Sequence, residues 1–283
     1  MRVLGIDTAT PATTVALWNT ETGTALERRD DPPAGARPRH TSRLLVLAAQ
    51  ALADAGTDWA GVDLVAVGTG PGTFTGIRIG VATARALAGA HSTPIVGVPT
   101  LRALASGAVD TAMSDPLQTP TDPLAPSDPL APSDPLAASD PLAPSDPLAP
   151  SDPLAPPAVL AVLDARRREV FAAGWVTSEI RDPAAPARLT PRAVAPDALA
   201  HTLAERGETW LAVGDGAVQS RALLQDAGAI VPADASPLHR VSAVEICRLG
   251  LGLTPTTPDE IHPEYLRLPD AELTRRAAAA QRS

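Results

Sequence analysis

The chain has 283 residues, 45% of them apolar, a single cysteine (Cys247) and a formal net charge of −9. That length buries one sizeable core or two modest ones, the lone thiol excludes an internal disulfide, and no apolar run approaches the roughly 18 residues of a membrane span. There is no basic and apolar leader either, so a soluble, cytoplasmic protein without membrane contact is expected.

All 23 basic residues are arginine, and the seven aspartates between Asp115 and Pro157 carry most of the net charge. The rest of the chain is nearly neutral. With no basic patch or aromatic platform along it, direct RNA binding is not expected.

The first apolar run, residues 3–7, reads as a strand that ends on Asp7 and turns through Thr8 and Thr10 into a second strand over 14–18. A third strand is expected near 24–28. A carboxylate at a strand tip, among hydroxyls and turn amides, suits a hydrated Mg²⁺ or a phosphate, and suits equally an Asx or Ser/Thr turn that caps its own backbone. Asp7, Thr8 and Thr10 are therefore candidates for weak ATP or ADP binding.

A helix is predicted over 41–55. Its Leu44, Leu45, Val46, Leu47, Ala48, Ala49, Ala51, Leu52 and Ala53 leave only Arg43, Gln50 and Asp54 as polar relief. Such a helix needs cover on more than one side, from a partner protein or from a larger internal core. His40 precedes it, but Arg43 and Leu44 stand where a helical metal pair needs its second histidine, so metal binding is not expected.

A short apolar strand over 62–67 feeds the run GTGPGTFTGIRIG at 68–80, and an alanine-rich helix follows over 77–90. A glycine loop at a helix start presents free N–H groups that can hold an anion. Against that, no lysine with a following Ser or Thr closes the loop, and Gly70, Gly72 and Gly76 miss the dinucleotide spacing. The alternative is a tight turn that brings backbone against backbone. On the helix, Gly80, Ala84 and Ala88 form a stripe of small residues suited to close helix approach, with Arg78 and Arg85 on one face. Arg78 is placed in the first turn, where the macrodipole disfavours a cation unless an external carboxylate or phosphate compensates.

A strand over 95–98 and a helix over 100–109 close the first lobe. From Asp122 a DPLAPS hexad recurs six times with small variations. Its regular prolines predict an extended, disordered linker; a docking ligand for a proline-recognising domain is the alternative. The second lobe opens with a hairpin, strands 159–164 and 170–175, whose Asp164 repeats the ambiguity of Asp7. Its turn, Ala165 to Glu169, holds Arg166, Arg167 and Arg168, which could bind an anion or simply face solvent. Then come helix 196–206, strand 210–213, a turn at Gly214, helix 217–227 and helix 242–253. The pattern predicts an α/β protein with mixed sheets. Its parts are a lobe over 1–113 completed by helix 242–253, a linker over 114–157, a second lobe over 158–240, and a C-terminal helix and tail over 241–283. No Gly-x-Ser-x-Gly elbow is present and Cys247 lies in an apolar helix, so a nucleophilic hydrolase has little support.

Taken together, LGIDTATPATTVAL, PRHTSRLL, GPGTFTGIRIGVATARALA, VLDARRREVF and PEYLR resemble the TsaB family, also called YeaZ. The resemblance implies two lobes of the actin-like, sugar-kinase and heat-shock ATPase type on ribonuclease-H-like cores. It implies a role in N6-threonylcarbamoyladenosine formation at position 37 of tRNA, as the non-catalytic partner of the transferase TsaD, joined by the ATPase TsaE. Contact with tRNA would be indirect and no cofactor would be required. Members pair through the two apolar helices, which puts His40, Leu44, Leu45, Phe74, Thr75, Arg78, Gly80, Ala84, Arg85 and Ala88 at a partner interface, with a homodimer as the unpartnered form. The glycoprotease label of some relatives finds no nucleophile or metal set here. Departures are Phe171, where the family usually has tyrosine, Ser42-Arg43, where an acidic residue is common, and the hexad linker.

Overall fold

The structure, a computed structural model, describes residues 1–33, 35–114 and 158–267. The hexad repeat, expected as a disordered linker, lies outside the described residues, as does the end of the C-terminal tail.

Strands β1 (Arg2–Asp7), β2 (Thr13–Asn19) and β3 (Thr24–Asp30) form an antiparallel meander. Helix α1 (His40–Asp54) then crosses to β4 (Leu64–Gly70), parallel to β1, and α2 (Phe74–His91) crosses to β5 (Ile95–Pro99). The sheet order is β3-β2-β1-β4-β5. After α3 (Thr100–Ser114) the plan repeats. Strands β6 (Ala158–Asp164), β7 (Val170–Val176) and β8 (Leu189–Val194) meander, α4 (Pro196–Arg206) crosses over, and β9 (Trp210–Val213) returns parallel to β6, giving the order β8-β7-β6-β9. Short helices α5 (Asp215–Gln219) and α6 (Arg221–Asp226) follow, then α7 (Ala243–Leu251). The molecule is thus α/β with two mixed sheets.

Strands β1 and β4 are buried on both faces, which is why each reads as a continuous apolar run rather than an alternation. On one face Leu4, Ile6, Val65 and Val67 meet Leu44, Leu47, Ile77 and Val81 of α1 and α2. On the other, Val3, Leu64 and Val96 join a core that continues through Leu101 and Leu104 of α3 and Ile246 of α7 to Val159, Leu163 and Trp175 of the second sheet. Helices α3 and α7 therefore form a middle layer shared by both sheets. Helix α7, capped by Ser242 Oγ accepting from Val244 N at 3.1 Å, lies close on the first sheet. Gly5 and Gly250 permit that approach: a Cβ on Gly250 would stand 2.8 Å from that of Ala66, and one on Gly5 would collide with the Ala243 carbonyl. Two polar clasps hold the layer. Buried Glu245 accepts from Ser106 Oγ at 2.6 Å and from Arg248 Nη1 at 2.7 Å. Arg102, 9% exposed, donates to the carbonyls of Glu179, Ile180, Asp182, Pro183 and Ala185 beyond β7.

Three elements differ from the sequence reading. Helix α2 starts at Phe74, three residues before its expected start, so Gly76 is helical rather than part of the loop. Strand β8 carries Pro191, a weak strand signal that an edge position tolerates. The single helix expected over 217–227 breaks at Ser220 (φ −104°, ψ 16°) into α5 and α6.

Candidate functional site

Strand β1 delivers Asp7 fully buried, beside the start of α3. Its Oδ1 accepts from Ala9 N at 2.9 Å and its Oδ2 from Thr100 Oγ1 at 2.8 Å, while Gly70 N donates to the same Thr100 oxygen at 3.2 Å. Gly68 lies against the carboxylate, where any Cβ would collide with Oδ2. Burial pushes the Asp7 pKa up to about 6, opposed by the two hydrogen bonds and the charge of Arg29. Thr8 Oγ1 donates to Gly76 O at 2.7 Å under α2. Gly76 and Gly80 are glycine for that reason: the Thr8 carbonyl and hydroxyl occupy the space their Cβ atoms would take.

Of the three candidate nucleotide ligands, Asp7 and Thr8 are thus engaged by the chain itself, and Thr10 reaches the cleft between the sheets. That cleft, lined by Thr10, Gly72, Thr73, Asp164, Arg166 and Asp215, holds ≈ 10 Å³, room for one water. A neighbouring hollow sharing Thr10, Pro11 and Asp215 holds ≈ 180 Å³. Ligand pockets usually measure about 300–1,000 Å³, so both spaces are small beside them. Asp164 N donates to Asp215 Oδ1 at 3.0 Å, and burial raises the Asp215 pKa against that bond.

The residues predicted for a partner interface divide by burial. Gly80, Ala84 and Ala88 are turned onto the sheet with Ala84 and Ala88 at most 1% exposed, which corrects their reading as a docking stripe; a small-residue row suits close helix–sheet packing as well as helix–helix packing. Leu44 and His40 are buried too, at 2% and 3%. His40 Nδ1 lies 2.9 Å from Thr13 Oγ1, its Nε2 is enclosed without a partner, and burial holds its pKa below the usual value, so the ring is neutral. Arg78 stands in the second turn of α2, not the first, and its partners are internal: its guanidinium lies 3.9 Å over the Phe74 ring and its Nε donates to Tyr265 Oη at 2.9 Å. Arg85 pairs with Asp259 at 2.6 Å.

What remains at the surface is an apolar ridge. Leu45, Val46 and Phe74 are 51%, 43% and 40% exposed, with Ala49, Ala53, Ala82 and Ala86 exposed along the same two helices and Thr75 and Arg78 beside Phe74. The sequence reading missed the C-terminal strap that frames this ridge. Thr256 bridges Ile95, Ile261 is buried with α1 and α2, Glu264 N donates to Thr69 O at 2.7 Å, and the Tyr265 ring packs 5.3 Å from that of Phe74. Among the described residues no group of three or more His, Cys, Asp or Glu side chains converges, and no helix is long and apolar enough to cross a membrane. Cys247 is sealed between β1 and α7, where burial raises its thiol pKa far above the ordinary range.

A family model described as TsaD, tRNA N6-adenosine threonylcarbamoyltransferase, matches residues 32–123, the stretch that carries α1, β4, α2, β5 and α3. The tRNA threonylcarbamoyladenosine biosynthesis protein TsaB of Escherichia coli is 43% identical over 108 residues, 38% of this chain and 44% of that protein. Its namesake from Haemophilus influenzae is 34% identical over 110 residues, 39% of this chain and 44% of that one. The chain spans less than half the length of these two relatives. YeaZ from Pseudomonas aeruginosa, 23% identical, superposes with a TM-score of 0.63 over 94% of this chain and 99% of its own, so the two share a fold. The chain is thus similar in sequence to TsaB proteins over part of its length and similar in fold to the YeaZ structures. A second Pseudomonas aeruginosa structure, titled by its similarity to peptidase YEAZ, superposes equally well, at 0.63. These two curated relatives match 38% and 39% of the chain, and the TsaD model about a third of it.

Proposed function

We propose that the chain is a non-catalytic scaffold and activating subunit for N6-threonylcarbamoyladenosine formation at tRNA adenosine 37, working beside a TsaD-type transferase. The observation that carries this reading is the exposed apolar ridge of α1 and α2, with Leu45 at 51% and Val46 at 43%. Exposed apolar side chains grouped on two packed helices are the kind of surface an interaction site uses. The TsaD family model falls on the same helices, so a TsaD-type chain brings an equivalent pair, and two such pairs can meet about a pseudo-two-fold axis. Alone, a second copy of this chain would take the same face. Each sheet with its helices corresponds to one actin-like lobe, and a TsaE-type ATPase completes the assembly in the cytoplasm.

A second reading, weak ATP or ADP handling around Asp7 and Thr10, is favoured by a buried carboxylate with a pKa near 6, two residues before the cleft-lining Ala9. The engagement of Asp7 and Thr8 within the chain speaks against it. Co-purification with a TsaD homologue tests the first reading, and a stable monomer that ignores TsaD would count against it. ATP turnover by the purified chain, lost in Asp7→Ala, would promote the second.

A further inference from the structure

The β6–β7 hairpin turns through Ala165, Arg166, Arg167, Arg168 and Glu169, and its three arginines all lie in the left-handed region, at φ 62°, 54° and 63°. Glycine, asparagine or aspartate ordinarily fills such positions, because a Cβ strains there. The turn is nonetheless held closed: Ala165 N donates to Glu169 O and Glu169 N to Arg166 O, both at 3.0 Å, and Arg166 N donates to Asp164 Oδ1 at 2.7 Å. All three arginines are exposed, the Arg166 side chain by 69%. The C-terminal strap adds a fourth cation, Arg267, whose Nη1 lies 3.4 Å from Ala165 O and 3.2 Å from Glu169. Four guanidinium groups thus gather where the sequence alone offered three, against the carboxylates of Asp164 and Glu169. The near-neutral charge of the chain outside its repeat conceals this concentration.

We propose that this arginine tip is a contact for the phosphate backbone of an RNA. Guanidinium forks match phosphate oxygens in pairs, and three consecutive arginines need anions spaced a few ångströms apart, as along a nucleic acid strand. The chain's own acidic repeat offers one carboxylate every six residues, too sparse to match them. The choice of RNA as ligand rests on the tRNA-modification reading above, and it places part of the tRNA against this chain rather than on its partner alone.

The test uses the full chain carrying Arg167→Gly with Arg168→Gly. Glycine adopts φ 54° and 63° freely, so the variant keeps or gains thermal stability while losing two charges. Fluorescence anisotropy with an unmodified tRNA transcript, alone and with the TsaD-type partner, is expected to show roughly tenfold weaker binding and a log–log salt slope shallower by about two. Unchanged affinity and slope, or no RNA binding by the wild type in either setting, overturns the inference. So does loss of partner capture with RNA binding intact, which would make the tip a protein contact. If depleting the chain leaves threonylcarbamoyladenosine unchanged while the tip still sets RNA affinity, the functional reading fails and this inference stands.

Discussion

Asp7 sits at the end of an apolar strand, and its environment, not its residue type, sets its chemistry. With the folded pKa near 6 against the ordinary carboxylate value of 3.8, the native state holds a proton between about pH 4 and 6 that the unfolded chain has released. Stability therefore falls as pH rises through that window, by up to roughly 3 kcal/mol. Asp7→Asn, which removes the buried charge, is expected to flatten this decline and to raise stability at pH 7 by roughly 1–3 kcal/mol. Urea melts at pH 4.5 and 7 check it; a decline as steep as the wild type's would show that Asp7 is not the titrating group. The sequence announced Asp7 as a turn or ligand residue. It gave no sign that Thr100, 93 positions along the chain, supplies the opposing hydroxyl.

On α2 the two faces make opposite predictions. Ala84→Arg forces an unpaired cation between helix and sheet and is expected to cost about 3 kcal/mol or more, seen as a lowered Tm with loss of the folded signal. On α1, Leu45→Arg with Val46→Glu alters only the ridge and is expected to leave Tm within a few degrees while abolishing partner capture; collapse of its circular dichroism signal would make the ridge structural instead. In the middle layer, Arg102→Met strands the carbonyls that the guanidinium serves and should lower unfolding free energy by roughly 2–4 kcal/mol in denaturant melts. Most elements were legible because their periodicity is strong: α1, β4, α4 and β9 stand within two or three residues of their expected places. The orientation of α2 was not, since a Gly80, Ala84, Ala88 stripe suits a sheet as well as another helix. The start of α2 was missed because glycines there serve close approach to Thr8, not loop conformation. Arg78 and Tyr265 are 187 residues apart, and no local pattern signals such a pair.

The molecule joins two sheets of one plan through a shared layer of α3 and α7, and the cleft between them holds ≈ 10 Å³ beside a hollow of ≈ 180 Å³. The exposed side chains of α1 and α2 lie outside that cleft, on the face the proposed partner would cover. The sequence carried the repeat of the hairpin plan in both halves, but not the merging of their cores, because the layer is assembled from segments more than a hundred residues apart. The most direct measurement is mass spectrometry of tRNA nucleosides after depletion of this chain, with complementation by the wild type or by Leu45→Arg/Val46→Glu. Threonylcarbamoyladenosine should fall on depletion and return with the wild type but not with the ridge variant. Modification that persists without the chain would contradict the account.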